Sequence, residues 1–239
     1  MSTKQEIQLK SLEILYQDDY IVVINKPHGL PVHPSYITRN VEVFALQLLR
    51  NQLGQKVYPA HRLDSKTSGV LCFSLDKETN RLMQQKFQNR EVDKKYQAIV
   101  RGFTPNEMTI DYPLKHENGK MQDAITQFST LERFEIDLPF GKHTTSRYSL
   151  VEANPKTGRM HQLRKHFAHI FHPIIGDRPH GCNKQNKLWK DTFQMMTMLL
   201  HASELSFTHP YNEEEIRIKA LLSKEFSEVL ELLKEKDLK

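Results

Sequence analysis

The sequence predicts an α+β fold. Short apolar runs rich in β-branched and aromatic residues, typical of strands, lie among longer segments with a helical apolar stripe. The two kinds of segment do not alternate in the strict βαβ order of a doubly wound fold, and no internal repeat or low-complexity tract is present. The irregular mixture therefore favours α+β over α/β.

Two strands and two helices are predicted in the first half of the chain. Residues 20–25 form an apolar run stopped by proline and glycine, as in a short buried strand. Residues 41–54 carry a helical apolar stripe and end in glycine. "SGVLCFSLD" (68–76) is predicted as a strand and "KETNRLMQQKFQNR" (77–90) as a helix.

The second half continues the mixture. "KKYQAIVRG" (94–102) and "RYSLVEANP" (147–155) are predicted strands. "GRMHQLRKHFAHIFHP" (158–173) is predicted as a helix that its final proline ends, and residues 225–239 form an amphipathic helix. Residues 104–146, rich in charge, threonine and turn formers, are expected to be an insertion or a long hairpin.

Basic charge is concentrated in one part of the chain. The net charge of +5 arises from 34 basic and 29 acidic residues. Between Lys156 and Lys190 there are eight Lys or Arg and five His against a single acid, Asp177. This local excess favours a surface that docks phosphates. Residues 213–239, with eight acids and six bases, have the pattern of an ordinary solvated helix surface.

Several function classes lack sequence support. Cys72 and Cys182 are far apart and have no CxxC context, which argues against a disulfide framework and a thiolate zinc site. No apolar signal segment or 18-residue apolar stretch occurs, so a soluble cytoplasmic protein without membrane contact is expected. No GxxxxGK[ST], GxGxxG or GxSxG motif supports nucleotide hydrolysis, dinucleotide binding or a hydrolase triad.

Asp64 lies in the polar stretch "HRLDSKTSG" (61–69). An isolated aspartate in such a stretch is most simply a turn or cap residue. The alternative is a carboxylate that acts as nucleophile or base, as in glycosidic chemistry. Arg62 would share a face with Asp64 in an extended segment, and a neighbouring cation would keep the carboxylate ionised.

"PKTGRMHQLRKH" (155–166) is the second candidate site. Gly158 can adopt a positive φ in the turn before the helix, which would let Arg159 and the helix N-terminus face an anion. Arg164 lies further along the helix, where it could reach into a site. The alternative for this segment is a cationic, solvated helix face.

Histidines and one tyrosine complete the candidates. His161, His166, His169 and His172 run through the same predicted helix, but a step of three residues turns a helix by about 300°, so only neighbouring pairs share a face. Neither HExxH nor a run of acids accompanies them, which favours aromatic or phosphate contacts over a metal. Tyr96 fits a core tyrosine, or a phenol that stacks on or hydrogen-bonds to a base.

Six blocks together resemble the RluA-type pseudouridine synthases in order and approximate spacing, over about residues 12–220. HRLDxxTSG is the most specific of these motifs. The blocks are "NKPHGLPVHP" (25–34), "HRLDSKTSGVL" (61–71), "KKYQAIVRG" (94–102), "PKTGRMHQLRKH" (155–166), "HPIIGDRPHG" (172–181) and "LHASELSFTHP" (200–210). The resemblance implies a mixed, largely antiparallel sheet flanked by helices and loops around a central RNA-binding cleft.

The resemblance also implies a role for each matching residue. Asp64 matches the aspartate that starts cleavage of the uridine C1′–N1 bond, either by attacking C1′ or by removing the 2′ proton. Arg62 matches the arginine that fills the place of the flipped-out nucleotide. Tyr96 matches the tyrosine that stacks on the base or assists proton removal at C5. Arg164 matches the basic residue that keeps the aspartate ionised, and Leu163 helps to line the pocket. The other residues expected to contact RNA are His61, Arg159, His161 and Lys165.

The resemblance carries expectations about organisation and partners. We expect one catalytic domain over 1–239 without a separate S4-like domain, a flexible N-terminus over 1–11, a monomer, and no metal or cofactor, since the product is an isomer. The blocks resemble most a bacterial subgroup that modifies uridine 65 of transfer RNA (tRNA). His180 departs from the tyrosine that many relatives have in "GDxxYG", and that subgroup tolerates histidine there.

Three alternatives remain. A related synthase that acts on ribosomal RNA or on another tRNA position shares every catalytic motif. A non-catalytic RNA-binding protein would have no need of a carboxylate near a polyanion. A histidine-rich metal hydrolase predicts bound metal and sensitivity to chelators.

Overall fold

The computed structural model describes residues 11–34 and 42–239. The N-terminus expected to be flexible, 1–11, lies outside the described residues except for its last one. The strands of the described part are β1 (Glu13–Gln17), β2 (Ile21–Lys26), β3 (Tyr58–Pro59), β4 (Ser68–Ser74), β5 (Val92–Arg101), β6 (Glu107–Asp111), β7 (Leu114–Lys115), β8 (Met121–Gln122), β9 (Ile125–Ile136), β10 (Ser146–Pro155), β11 (Leu200–Thr208) and β12 (Glu215–Lys219). The helices are α1 (Ala45–Leu53), α2 (Lys77–Gln88), α3 (Gln162–His169), α4 (Asn183–Phe193) and α5 (Lys224–Glu235).

One large sheet runs through the molecule in the order β1-β2-β4-β11-β5-β10-β9-β6, with β12 added to β11 and β3 to β4. Its neighbours are antiparallel except β4 and β11, which run parallel. The α+β prediction with a mixed, largely antiparallel sheet is confirmed. Residues 104–146 contain β6 to β9, in which β6 pairs with β9 and β7 with β8. The single-domain organisation stays a prediction.

Helices cover the sheet on both faces. Successive residues of β2 alternate between two apolar clusters, one with Leu49 of α1 and the other with Met83 of α2. β5 does the same further along, where Ile99 faces Trp189 of α4 and the residues on either side of it face Phe167 of α3. This period of two is what a sheet buried on both faces requires. None of the helices in the described residues is long and apolar enough to cross a membrane.

Local sequence signals account for three of the helix ends. Asp76 caps α2 by accepting from the Thr79 amide at 2.8 Å, and Ser223 caps α5. α1 ends at Gly54, whose φ is 68°. The helix predicted over 158–173 is shorter, because Phe171 takes a positive φ of 63° before the proline is reached.

The turn before α3 differs from its prediction. Gly158 is not among the residues with positive φ, and His161, the residue before the helix, takes that conformation instead with φ 56° and ψ 29°. The expectation for Gly158 is therefore wrong. Histidine adopts this region more readily than most residues that carry a side chain, although at some energetic cost.

β4 and β11 meet at a narrow seam between the two halves of the sheet. Their parallel pairing is limited to His201 with Ser68 and Ala202 with Gly69. Gly69 has a φ of +106°, and a Cβ at this position would lie 2.1 Å from the carbonyl oxygen of Ala202. Only glycine permits this approach of the two backbones.

Gly69→Ala should destabilise the protein. A positive φ costs an alanine about 1–2 kcal/mol, and the contact with Ala202 adds an overpacking penalty of about 1–3 kcal/mol. Urea denaturation should therefore show a fall of about 2–5 kcal/mol in the free energy of unfolding. Gly54→Ala is the matched control, since Gly54 also has a positive φ but nothing within 4 Å of a Cβ. Equal losses in the two variants would show that the close approach has no energetic weight.

Candidate active site

The loop between β3 and β4 carries Asp64. Leu63 is buried against the α1 side of the sheet, whereas Arg62 is exposed and the Asp64 side chain keeps 24% of its surface accessible. The Thr67 amide donates to the Asp64 carbonyl oxygen at 3.0 Å and closes a turn after the aspartate. The local interpretation of Asp64 as a turn residue and its interpretation as a site residue are thus compatible.

Lys26 holds this loop from below. Its side chain is fully buried, and Nζ donates to the carbonyl oxygens of Pro27 at 2.9 Å, Leu30 at 2.8 Å and Ser65 at 3.0 Å. Burial lowers the pKa of Lys26, and the negative charge of Asp64 opposes that shift. The lysine therefore ties the end of β2 to the residue that follows Asp64.

Two histidines fix the rest of the loop. The His61 ring stacks on Phe87 with centroids 4.6 Å apart, and its Nε2 accepts from the Cys72 amide at 3.1 Å. Burial lowers the pKa of His61 to about 3, so the ring is neutral. Ser68 Oγ lies 2.8 Å from Nδ1 of the buried His201, across the seam. His61 as an RNA contact stays a prediction, and the contacts it makes here are internal.

Arg164 of α3 joins Asp64 to a second carboxylate. Its Nη1 donates to Asp64 Oδ2 at 2.8 Å, while Nε and Nη2 donate to the two oxygens of Asp177, each at 2.8 Å. Arg164 and Asp177 are buried. Burial disfavours the guanidinium charge, but the hydrogen bonds that Arg164 donates to Asp177 and Asp64 outweigh it and raise the pKa of Arg164. Arg164 is thus a permanent cation oriented by a bidentate pair.

The loop that carries Asp177 is anchored by α4. Asn186 accepts from the Gly176 amide at 2.9 Å and donates to the Asp177 carbonyl oxygen at 2.7 Å. The amide of His180 donates to Asp177 Oδ1 at 3.3 Å. These contacts fix the position of the Asp177 carboxylate beside α3.

His161 lies near Oδ1, the carboxylate oxygen of Asp64 that Arg164 does not contact. His161 Nε2 lies 3.8 Å from Asp64 Oδ1, and His161 Nδ1 lies 2.9 Å from Nε2 of His180. Burial is the largest cause that lowers the pKa of both histidines. Both rings are therefore neutral at neutral pH.

Tyr96 lies beside this group on β5. Its partners in the neighbouring strands are Ala153 and Ala202, whose small side chains leave room around the ring. The ring packs against the apolar clusters under α1 and under α3. Burial, and then the charge of Asp64, raise the pKa of Tyr96, so the phenol stays protonated and is available as a donor.

The remaining residues predicted to bind RNA differ in burial and in contacts. Leu163 is buried in the apolar cluster around Phe167, whereas Lys165 is half-buried. Arg159 is half-buried, and its Nε donates to the Asp123 carbonyl oxygen at 3.0 Å. Their RNA-binding roles, like that of the exposed Arg62, stay predictions.

The histidines of the α3 region do not form a cluster. His166 contacts Thr126 and the Tyr112 carbonyl oxygen, His169 stacks on the Tyr112 ring, and His172 contacts the Arg101 carbonyl oxygen. Within residues 11–34 and 42–239, no three His, Cys, Asp or Glu side chains come together as a metal site needs. The separate contacts of these histidines agree with the prediction that only neighbouring pairs share a face of the helix.

A comparison with family sequence models decides the identity. The family described as "RNA pseudouridylate synthase" matches residues 20–169, which include Asp64, Tyr96 and Arg164. This chain belongs to the RNA pseudouridylate synthase family. The RluA-type resemblance inferred from the motifs is confirmed, and the chain is an isomerase.

Curated relatives of this pseudouridylate synthase match along nearly its whole length. A tRNA pseudouridine synthase C of Vibrio vulnificus is 46% identical over 92% of this chain and 94% of the relative. Proteins of the same name from Salmonella typhi and Haemophilus influenzae are 44% and 42% identical, each over 92% of this chain and over 88% and 96% of the relatives.

Solved structures agree on the fold of the synthase. Human RNA Pseudouridylate Synthase Domain Containing 4 superposes with a TM-score of 0.70 at 29% identity, covering 93% of each chain. Human RNA Pseudouridylate Synthase Domain Containing 1 has a TM-score of 0.69 at 23% identity, covering 94% of this chain and 95% of that one, and it supports the fold alone.

Four residues of the synthase site were given no role in it from sequence. Lys26, Asp177, His180 and Asn186 hold the loops around Asp64 and Arg164. A sequence signal was available for Asp177, because the single acid among eight basic residues is a natural ion-pair partner. Lys26 gave no such signal, because it ends an apolar run, where a lysine side chain is expected to point to solvent rather than into the interior.

Asp177→Asn should destabilise the synthase by about 3 kcal/mol, because it leaves the buried Arg164 guanidinium without its bidentate partner. Urea denaturation measures the loss. Asp191→Asn is the control, since Asp191 pairs with Lys187 on the exposed face of α4 and should change stability by less than about 1 kcal/mol. A loss below about 1 kcal/mol for Asp177→Asn would refute the importance given to this pair.

Proposed function

We propose that this enzyme isomerises uridine to pseudouridine in tRNA at position 65, with Asp64 as the catalytic residue. The observation that carries the proposal is the Asp64–Arg164 pair, 2.8 Å apart, which joins two of the matching motifs, "HRLDSKTSGVL" and "PKTGRMHQLRKH". The tRNA substrate is supported by the name of the relatives at 42–46% identity. Such an enzyme would meet its substrate in the cytoplasm and act as a monomer.

The reaction conserves every atom of the nucleotide. The C1′–N1 bond breaks, the uracil turns, a C1′–C5 bond forms, the C5 proton leaves and N1 gains a proton. Asp64 starts the sequence either by attacking C1′ with its carboxylate or by removing the 2′ proton, which it later returns. Neither route consumes water or a cofactor.

Arg164 and Asp177 prepare Asp64 for either route. A nucleophile or base must be ionised, yet RNA phosphates nearby disfavour a negative carboxylate. Arg164 cannot lose its proton, and its Nη1 places a fixed positive charge 2.8 Å from Oδ2 of Asp64. Asp177 prevents the guanidinium from rotating away, since it takes up two of the three nitrogens.

Tyr96 is assigned to the base rather than to proton removal at C5. Its raised pKa keeps the phenol protonated, and a protonated phenol is a poor base. A half-buried ring on a rigid strand is well placed to stack on an extruded uracil. Arg62, exposed two residues before Asp64, is free to occupy the gap that the flipped nucleotide leaves.

The basic segment, residues 156–190, supplies a surface for the RNA backbone. Of its eight Lys and Arg residues, only Arg164 is buried, and the others reach the surface. A hollow of about 190 Å³ on α4 and the preceding loop is lined by Arg178, Lys187 and Lys190 among others. Cations around a concave surface are suited to phosphates. We assign Lys156–Lys190 to phosphate docking.

Cells that lack the gene should lose pseudouridine at tRNA position 65, and pseudouridine maps of total tRNA and ribosomal RNA measure this. Wild-type enzyme and Asp191→Asn should restore the modification. Asp64→Asn should not, because an amide is neither a nucleophile nor a base of useful strength.

Purified Asp64→Asn should still fold and bind tRNA, which thermal unfolding and a filter-binding assay would check. Measurable turnover by this variant would remove Asp64 from the chemistry. Loss of a ribosomal RNA pseudouridine, with tRNA unchanged, would instead support the related synthase that acts on ribosomal RNA.

RNA affinity should fall steeply with salt. If the basic segment contacts about four phosphates, the slope of log K against log salt is about −3. Lys184→Gln and Lys190→Gln should each make the slope shallower by about 0.7–0.9. Lys224→Gln on α5 is the control and should leave it unchanged. Affinity that is flat between low and high salt would contradict phosphate docking by this segment.

A further inference from the structure

A pair of neutral histidines adjoins Asp64 and has no assigned role in the reaction. Arg164 takes one oxygen of the carboxylate, Oδ2, and His161 Nε2 lies 3.8 Å from the other, Oδ1. Nδ1 of the same ring lies 2.9 Å from Nε2 of His180. The two imidazole rings stand edge to face, with centroids 5.1 Å apart.

The backbone of His161 directs its ring to this place. The residue precedes α3 in a left-handed conformation, φ 56° and ψ 29°, and its side chain does not cap the helix. Strained conformations of this kind persist where the surrounding structure demands them. The ring instead lies between the Asp64 carboxylate and His180.

The charges that face the pair are mixed in sign. For both rings burial is the main cause that lowers the pKa; Arg164 and Lys165 reinforce it, whereas Asp177, and Asp64 in the case of His161, oppose it. Two neutral imidazoles share one hydrogen bond, so one nitrogen of the 2.9 Å contact donates and the other accepts.

Only one arrangement of protons suits the carboxylate. If His161 carried its proton on Nδ1, the lone pair of Nε2 would point toward the negative Oδ1 of Asp64. With the proton on Nε2, a positive N–H faces the carboxylate, and Nδ1 must then accept from His180. The partner of one ring nitrogen sets the tautomer of the other.

We propose that His180 is a positioning residue of the synthase: it donates Nε2–H to Nδ1 of His161 and thereby fixes the tautomer that presents Nε2–H to Oδ1 of Asp64. The proposal rests on the catalytic role proposed above for Asp64. Arg164 then hydrogen-bonds Oδ2, whereas the His161 N–H faces Oδ1 from 3.8 Å, where it acts through its partial positive charge rather than through a hydrogen bond. Together they favour one orientation of the carboxylate plane.

The requirement on position 180 is therefore a donor, not a histidine as such. Tyrosine offers a phenolic O–H to the same nitrogen. Phenylalanine has a ring of similar size and no donor. His180→Phe and His180→Tyr thus separate the hydrogen bond from the packing of the ring.

The test combines kinetics on a tRNA transcript with ¹⁵N NMR of the imidazole nitrogens in the RNA-free protein. In the wild type, His161 should carry its proton on Nε2. His180→Phe should mix the two tautomers and lower kcat about tenfold with KM nearly unchanged, as expected from the loss of one hydrogen bond that orients a reacting group. His180→Tyr should recover the tautomer and most of the rate. His143→Phe, at an exposed histidine, controls for the substitution itself.

Three outcomes would overturn the proposal: a wild-type His161 protonated on Nδ1, a His180→Phe enzyme with wild-type kcat, or a His180→Tyr enzyme as slow as His180→Phe. The wild-type tautomer decides the question even if a variant fails to fold. It also separates this proposal from the proposed function, because NMR reads the tautomer whether or not the enzyme modifies tRNA.

Discussion

The site depends on one guanidinium shared by two carboxylates. Asp177 is buried and takes Nε and Nη2 of Arg164, which leaves Nη1 as the nitrogen that reaches Asp64. A buried charge is tolerable only when it is paired and hydrogen-bonded. Lys26 also lies beneath the loop, but burial lowers its pKa to about 7, so the lasting positive charge beside Asp64 is that of Arg164. The arrangement fixes where the Asp64 carboxylate lies and which of its oxygens stays available.

The fold brings these groups together from both sides of a seam. Asp64 and Lys26 belong to the half of the sheet built from β1 to β4, whereas Arg164 lies on α3, which packs on the half that contains β5 and β10. The halves join through the parallel contact of Gly69 with Ala202. Ser68 and Gly69, at the end of the HRLDSKTSG stretch, therefore lie where the half that carries Asp64 meets the half that carries Arg164.

Sequence reasoning succeeded where a pattern was local and failed where the partner was distant. Apolar runs and stripes located β2, β4, β5, β10, α1, α2 and α5. α4 was missed because its buried residues, Gln185 and Trp189, give too sparse a stripe, and β11 because His201 and Glu204 interrupt its apolar pattern. The family motifs identified Asp64 and Arg164. The single acid of the basic segment marks Asp177 as an ion-pair partner but not which cation it pairs with, since only the folded chain brings the three side chains together.

A site of this kind must reconcile a polyanionic substrate with an ionised carboxylate. The surface cations of residues 156–190 attract phosphates, whereas the interior groups next to Asp64 are either charge-paired or held neutral by burial. This separation of surface cations from interior groups has a physical advantage. A mobile lysine that paired with Asp64 would leave the carboxylate for a phosphate when RNA binds. Arg164 does not, since Asp177 already fixes it in place. In the proposed function, docking and chemistry thus rely on different cations, the surface Lys and Arg of residues 156–190 and the buried Arg164.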